Sequence, residues 1–181
     1  ALGGKVTVHS SFGTAKVRLR EVSLDIVTAR SETYARPGAL PSVKPGLIQD
    51  DLFRRDFTIN AMAVRLDPDA YGELVDPFKG QADLKAGLVR VLHPGSFKDD
   101  ATRMLRAIRY EQRLGFRLEG ATESLLRRDA PMLNTISGDR LRHELEAILR
   151  EERPELVLRR AYELGLLAQL HPKLKADDWL A

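Results

Sequence analysis

A chain of 181 residues, 43% hydrophobic and 30% charged, has the composition of a folded protein with room for one full core or two small ones. It contains no cysteine, which excludes disulfides, thiolate nucleophiles and cysteine-ligated zinc. The 29 basic and 26 acidic side chains leave a net charge of +3, a slight bias toward anionic partners. We find no apolar run long enough to cross a membrane and no signal peptide in ALGGKVTVHS, so we expect a soluble, cytoplasmic protein without a membrane partner.

The first 75 residues are predicted to form mostly strands. KVTVHS and SLDIVTAR alternate apolar and polar residues, and GTAKVRL is rich in β-branched ones. KVRLREVSLDIV lacks the Gly, Asn, Asp or Pro of a usual tight hairpin, which leaves open whether residues are absent near Arg20. The segment from Tyr34 to Gly46, with three prolines and two glycines, predicts a long irregular loop of the kind that often serves a site.

The next segment, RRDFTINAMA, places three charges against an apolar run. Taken alone, this pattern predicts the start of a helix. Asp56 would lie at the positive helix end, and Phe57, Ile59 and Met62 would enter the core.

From Phe97 onward the pattern is helical. FKDDATRMLRAIRYEQRLGF repeats apolar residues at helical spacing up to Gly115, and ATESLLRRDAPML, GDRLRHELEAILR and PELVLRRAYELGLL follow with similar spacing. We therefore predict an α+β protein with an N-terminal α/β part and a C-terminal all-helical part.

Three motifs in this order and spacing, RRDFTINAMA, VDPFKGQADLKAG and FKDDATRMLRAIRYEQRLGF, resemble the class II (bacterial-type) tRNA nucleotidyltransferase and poly(A) polymerase family of the polymerase beta superfamily. GDRLRHELEAIL and the upstream KVTVHSSFGTAKVRL resemble further family segments, so the resemblance covers nearly the whole chain, most weakly beyond Arg153. It implies a partial nucleotidyltransferase head, a mixed sheet with helices, over residues 1–92. Residues 93–181 would form a helical neck and the start of a body that bind RNA and nucleotide.

In the RRDF motif, the resemblance implies that Arg55 contacts the nucleoside triphosphate, and its planar fork suits phosphate oxygens. We expect Arg54 to be solvated or paired internally. Asp56 is predicted to support the site by orienting Arg55 or by capping a helix. Asn60 would contact the sugar or bond to nearby backbone.

The base-selecting motif of the family falls on Asp99, Asp100 and Arg103, with Asp99 in place of the usual glutamate. A carboxylate accepts from the exocyclic amine of adenine or cytosine while an arginine donates to the adjacent ring nitrogen, so Asp100 and Arg103 would reject guanine and uracil. The alternative is an ordinary ion pair within a helix. Arg106 and Arg109 continue the row and resemble family arginines that hold the nucleotide.

The supporting residues are predicted to be architectural. Asp76 begins a turn in VDPFKGQADL, Gly80 can supply a positive φ, and Asp83 belongs to the same hinge-like motif. Arg140 and Glu144, one helical turn apart, are predicted to pair with each other and brace the neck.

The resemblance also implies Mg²⁺, held in the family by an Asp-x-Asp pair that follows a Gly-Gly-x-Val-Arg-Asp loop. Neither motif is present in this chain, so we expect the 181 residues alone to be inactive. Asp25 is a weak candidate for a third carboxylate, and an acidic residue exposed on a strand is the equal alternative.

The four histidines show no metal-ligand spacing and are predicted to be surface or packing residues: His9, His93, His143 and His171.

The parent reaction implied is transfer of AMP or CMP from ATP or CTP to the 3′ end of an RNA, with tRNA as the leading substrate. Three hypotheses stay open: CCA addition, A-only addition or poly(A) polymerisation by a module of a larger protein, and a non-catalytic RNA-binding relative.

Basic residues of the helical half could track phosphates, although an ion-paired helix face is the stronger interpretation; they are Arg127, Arg128, Arg150, Arg153, Arg159 and Arg160. The sequence leaves the oligomeric state and anything after Ala181 open.

Overall fold

The computed structural model describes residues 4–9, 14–36, 38–39 and 41–174, excluding the side chain of His9. Short strands form an antiparallel β1-β2-β3 sheet, two antiparallel pairs, β4-β5 and β6-β7, and one parallel pair, β8-β9. They are β1 (Lys5–His9), β2 (Thr14–Leu19), β3 (Val22–Val27), β4 (Arg30–Thr33), β5 (Ser42–Pro45), β6 (Ala63–Val64), β7 (Leu74–Val75), β8 (Leu88–Val89) and β9 (Arg117–Leu118).

At two places the backbone differs from what the sequence suggests. The β2–β3 hairpin closes with a two-residue turn in which Leu19 faces Val22 and Arg20 takes a left-handed φ of 49°, a conformation usually left to glycine or asparagine. The prediction that Tyr34–Gly46 is irregular was wrong for its second part, because β5 pairs with β4. Pro45 is tolerated at the end of this outer strand, where a missing N–H costs least.

Helices dominate the rest of the chain. They are α1 (Ile48–Phe53), α2 (Gly80–Ala86), α3 (Ser96–Asp99), α4 (Thr102–Leu114), α5 (Gly120–Asp129), α6 (Gly138–Leu149), α7 (Pro154–Glu163) and α8 (Leu166–Leu170), with short 3-10 turns at Thr58–Asn60, Pro68–Ala70 and Ala130–Thr135. Within the described ranges, no helix is long and apolar enough to cross a membrane.

The predicted helix after Phe97 is confirmed with one change, a break at Asp100, whose extended backbone separates α3 from α4. Gly115 ends α4 with a φ of 63°, as its position predicts. The helix start predicted for RRDFTINAMA was wrong. The N–H of Thr58 donates to the carbonyl of Arg90 at 2.9 Å. This hydrogen bond to a distant residue limits helical structure in RRDFTINAMA to the 3-10 turn at Thr58–Asn60.

One cluster of buried apolar side chains crosses the predicted boundary at residues 92 and 93. Phe57 and Val89 are fully buried and belong to the same cluster as Met104 and Ile108 of α4. The parallel pairing of β8 with β9 also joins the two parts. The boundary therefore stays a prediction, and the core itself is continuous across it.

Candidate functional site

An open polar cavity of about 470 Å³ lies where the end of α1 faces the start of α4. It is lined by Arg54, Arg55, Asp56, Asn60, Asp100, Arg103, Arg106 and Tyr110. The cavity therefore brings together most of the residues predicted to bind nucleotide, although they come from two segments of the chain about 50 residues apart.

Asp100 lies just before α4 and caps it. Its Oδ1 accepts from the backbone N–H of Thr102 at 3.0 Å, from the Thr102 hydroxyl at 2.6 Å and from Arg140 at 2.7 Å. Every bond recorded for this carboxylate within the described residues falls on Oδ1. Its other oxygen, Oδ2, is left as an acceptor for a ligand.

Arg103 is held by other groups than Asp100, so the alternative of an ordinary intrahelical ion pair was wrong. Its Nη1 donates to the hydroxyl of Ser96 at 2.8 Å, and its Nη2 donates to the carbonyl of Arg54 at 2.7 Å. The residue is only 6% exposed. A buried cation held by neutral acceptors keeps its charge available to the cavity.

Asp56 orients Arg106, whereas the sequence predicted that it orients Arg55 or caps a helix. Its Oδ2 accepts from Arg106 Nε at 2.9 Å and Nη2 at 2.5 Å. Its Oδ1 accepts from the N–H of Phe57 at 2.9 Å and from the side chain of Asn60 at 3.0 Å. Burial by itself lowers the pKa of Arg106, but the attraction of Asp56 outweighs it and the pKa lies above its usual value.

Asn60 thus bonds to a side chain, where the sequence left sugar or backbone as its partner. Its backbone carbonyl accepts from Arg55 Nη1 at 3.3 Å. The only other contact recorded for the Arg55 guanidinium within the described residues is one of 3.4 Å to Asp51. With a side chain 44% exposed, Arg55 is free to turn toward an anionic ligand.

Arg54 is paired internally, as predicted. Its guanidinium contacts Glu32 at 3.0 Å and Asp51 at 2.9 Å. Glu32 also accepts from the hydroxyl of Tyr34 at 2.9 Å. Burial and then this hydrogen bond raise the pKa of Tyr34, so the tyrosine stays neutral and the cluster fixes the rim of the cavity.

Arg109 lies behind the cavity. It contacts Glu151 at 3.3 Å and Glu144 at 3.8 Å, and its guanidinium carbon lies 5.4 Å from the ring centre of Tyr110. Within the described residues, its Nε and the Oε2 of Glu144 are buried without a hydrogen-bond partner. Its role as a nucleotide-holding residue therefore stays a prediction, and its contacts are those of a packing residue.

The predicted pair of Arg140 with Glu144 was wrong. Arg140 reaches across to Asp100, and Glu144 lies 3.8 Å from both Arg106 and Arg109. Both side chains connect α6 with the start and the middle of α4, and their role in bracing the neck stays a prediction.

The contacts of the VDPFKGQADL motif within the described residues are structural, and its architectural role stays a prediction. Asp76 accepts from the backbone N–H groups of Gly80 and Gln81 at 2.6 and 3.0 Å and so begins α2. Asp83 accepts from the Thr58 hydroxyl at 2.7 Å. The reason for glycine at position 80 differs from the prediction, because the positive φ of 60° belongs to Lys79. A Cβ on Gly80 would lie 2.3 Å from the Thr58 carbonyl.

The described residues do not fit a magnesium site. Asp25 on β3 has a side chain 67% exposed and pairs with Lys16 at 3.4 Å. Within the ranges that the structure covers, no group of three or more His, Asp or Glu side chains could hold a metal. The described residues therefore provide no set of ligands for the Mg²⁺ that the resemblance implies.

His93 and His171 pack or bond locally, and His143 is exposed on α6. His93 stacks on Phe53 with ring centres 4.9 Å apart and lies 3.4 Å from Asp99; burial lowers its pKa, although Asp99 acts in the other direction. His171 Nδ1 accepts from the N–H of Lys173 at 3.2 Å. The prediction for the side chain of His9 lies outside the described residues.

The basic residues of the helical half contact acceptors of the protein itself. Arg127 pairs with Glu123 at 2.8 Å, and Arg160 pairs with Glu111 and Glu123 at 2.8 and 2.6 Å. Arg128 contacts Asp129 at 2.6 Å. These contacts agree with the interpretation as an ion-paired helix face.

Sequence reasoning missed two residues of this region, Tyr110 and Ser96. Tyr110 lies seven residues after Arg103, which is two helical turns on the same face of α4, so this spacing could have found it. Ser96 gave no signal, because the break at Asp100 removes the helical register between it and Arg103.

Two family models match the chain. Residues 2–90 match a model described as the poly A polymerase head domain, and residues 115–178 match one described as the probable RNA and SrmB-binding site of polymerase A.

Known proteins of similar sequence and structure point the same way. An A-adding tRNA nucleotidyltransferase from Halalkalibacterium halodurans is 49% identical over 158 residues, covering 84% of this chain and 37% of the relative. A solved apo structure of a CCA-adding enzyme superposes with a TM-score of 0.94 at 45% identity, covering 98% of this chain and 43% of the other. The Thermotoga maritima CCA-adding enzyme complexed with tRNA gives a TM-score of 0.82 at 44% identity, with 98% and 40% covered. The chain spans less than half the length of each.

Proposed function

The chain belongs to the class II tRNA nucleotidyltransferase and poly(A) polymerase family, and from this premise we propose that the full-length protein adds AMP, CMP or both to the 3′ end of tRNA in the cytoplasm. ATP and CTP would be the nucleotide substrates. Mg²⁺ would be held by carboxylates outside these 181 residues and would stabilise the pyrophosphate leaving group. The 181 residues would supply nucleotide selection and part of the RNA-binding surface.

The observation that carries this proposal is the polar cavity before α4. The open Oδ2 of Asp100 can accept from the exocyclic amine of adenine or cytosine, and Arg103 can donate to the adjacent ring nitrogen. Guanine and uracil present a carbonyl where the carboxylate lies, so they would be rejected. Arg55, exposed on the other segment of the cavity wall, would take the phosphates.

Arg106 would contribute as a second cation, already oriented by Asp56. Arg109 would act through Tyr110 and Arg106, because its own guanidinium is turned toward Glu151. Asp76, Arg140 and Glu144 would hold the surrounding elements in place.

The cavity does not distinguish CCA addition from A-only addition, because the two bases share the amine and the ring nitrogen that Asp100 and Arg103 would read. Among the curated relatives, A-adding enzymes are 44–49% identical and CCA-adding ones 33–35%, whereas a solved CCA-adding enzyme is 45% identical, so the two comparisons do not agree on one activity. We propose the shared chemistry, and the ratio of CMP to AMP incorporated into a tRNA lacking its CCA end would separate the two.

The test is binding of ATP, CTP, GTP and UTP to the full-length protein by calorimetry, together with incorporation of each into tRNA in the presence of Mg²⁺. Asp100→Ala and Arg103→Ala should each weaken ATP or CTP binding about tenfold or more, because each removes a hydrogen bond from a charged group. Asp69→Ala and Arg142→Ala, exposed and outside the cavity, are the matched controls. Binding of RNA without incorporation of any nucleotide would overturn the proposal in favour of a non-catalytic RNA-binding protein.

A further inference from the structure

The guanidinium of Arg103 is fixed by two anchors from different parts of the chain. One is the hydroxyl of Ser96, the first residue of α3, which accepts from Nη1 at 2.8 Å. The other is the backbone carbonyl of Arg54, the residue after α1, which accepts from Nη2 at 2.7 Å. The Ser96 carbonyl adds a long contact of 3.4 Å to Nη1.

Anchoring both terminal nitrogens prevents rotation of the guanidinium plane. A guanidinium has five N–H donors in a rigid fork, so the N–H groups that these acceptors leave can meet a ligand in only one orientation. The Arg54 carbonyl belongs to the main chain and is present whatever side chain occupies that position. The hydroxyl of Ser96 is therefore the part of this clamp that depends on residue type.

Resting on the proposed function, we infer that Ser96 is a positioning residue for base selection: it sets the orientation in which Arg103 meets the base. Ser96 is 1% exposed and is not among the residues that line the cavity. It acts through Arg103 and does not touch the nucleotide. Without its hydroxyl, the long contact to the Ser96 carbonyl is the one that Nη1 retains among the residues that the structure describes, and the guanidinium can turn toward the carbonyl of guanine or uracil.

This role makes a prediction that a purely structural role does not. Loss of the hydroxyl should change the discrimination between bases more than it changes affinity for the preferred nucleotide, because the cation stays in place and only its direction is released. A buried hydroxyl that only supports packing would lower stability and leave discrimination unchanged.

The experiment compares Ser96→Ala, Ser96→Thr and Thr122→Val in the full-length protein. For each variant, the incorporation of ATP and CTP into tRNA is divided by that of GTP and UTP. Thr122 is the matched control, because its hydroxyl is also buried, with 1% of the residue exposed, and accepts from the N–H of Val91 at 3.2 Å, outside the cavity. We expect Ser96→Ala to lower the ratio about tenfold, the effect of one hydrogen bond to a charged group. Ser96→Thr and Thr122→Val should retain the ratio.

A second measurement needs no variant at Ser96. In nitrogen-15 NMR spectra of the wild-type protein, the two Nη groups of Arg103, assigned with Arg103→Lys, should give separate signals because the plane cannot rotate. Those of Arg142, whose side chain is 71% exposed, should be averaged. Averaged signals at Arg103 would overturn the inference even if Ser96→Ala does not fold.

The outcomes separate this inference from the function on which it rests. If the wild-type protein incorporates no nucleotide, the proposed function fails. If it selects ATP or CTP and Ser96→Ala selects equally well, the proposed function stands and the positioning role of Ser96 is overturned.

Discussion

In the β1–β3 sheet the apolar residues Val8 and Ile26 are 68% and 58% exposed, whereas around α4 even the charged Arg103 and Glu111 are only 6% and 5% exposed. The contrast separates two regions of one chain. Burial stabilises a fold in proportion to the apolar area removed from water, so the exposed β1–β3 sheet contributes little to the free energy of unfolding. The region around α4 contributes most of that free energy, and it also contains the candidate site.

The largest test of this contrast is Leu105→Ala against Ile26→Ala. Leu105 is 1% exposed within the core, so its truncation should lower the free energy of unfolding by about 3 kcal/mol through lost burial and a cavity. The same change at Ile26 should cost about 0.5 kcal/mol or less. Urea denaturation measures both, and equal costs would show that the sheet contributes as much as the region of α4.

The second test concerns the close contact between α2 and the 3-10 turn. Gly80→Ala would place a methyl group 2.3 Å from the backbone carbonyl of Thr58, so we expect a loss of about 2 kcal/mol as the backbone shifts. Gly120→Ala is the control, because a Cβ there meets nothing within 4 Å. Thermal unfolding of the two variants should differ by several degrees, and similar curves would mean that α2 moves away at little cost.

Next in size is Asp56→Asn, which removes one charge of the buried pair with Arg106. Removing a partner from a fully buried pair costs about 3–5 kcal/mol, but the side chain of Arg106 is 31% exposed, so we expect about 1–2 kcal/mol. Asp67→Asn, in the exposed pair with Arg65, should leave the free energy of unfolding almost unchanged, because solvent screens this pair. Denaturant midpoints compare the two, and an equal loss would remove the distinction between buried and exposed pairs.

The smallest expected effect is a pH dependence from His93. Because burial lowers its pKa in the folded state, the folded protein binds fewer protons than the unfolded one near the usual pKa of about 6.5. The stability of the wild-type protein should therefore fall as the pH drops below about 6.5, because the unfolded state takes up a proton first. In His93→Gln the free energy of unfolding should depend less on pH between about 6.5 and lower pH. The exposed-site control His171→Gln should show the same pH dependence as the wild-type protein. An unchanged pH dependence in His93→Gln would mean that other groups cause it.

Much of the fold could be predicted from periodicity, and the failures have physical causes. The helix after Phe97 and its end at Gly115 follow from spacing and from the left-handed conformation that glycine permits. The break at Asp100 was missed because a carboxylate that caps a helix has the same spacing as one within it. The helix predicted at RRDFTINAMA was overridden by a tertiary hydrogen bond, from Thr58 to the carbonyl of Arg90.

For the candidate site, residue types were easier to predict than pairings. From the resemblance, four residues were predicted to bind the nucleotide, and the structure places all four on one cavity: Arg55, Asp100, Arg103 and Arg106. The resemblance could not predict that Asp56 pairs with Arg106, or that Arg140 pairs with Asp100 rather than Glu144, because local spacing cannot show how the helices approach each other. Ser96 was missed because the break at Asp100 removes the helical register between it and Arg103.

The contacts that build the cavity join positions far apart in the chain: Arg103 to Arg54 across 49 residues and Arg106 to Asp56 across 50. Such contacts require the closure of a long loop and form only when the intervening chain has been organised. During folding, the cavity therefore forms only after these distant segments have come together. An isolated peptide with the 13-residue sequence of α4 is marginal as a helix in water and would lack the ability to recognise a base.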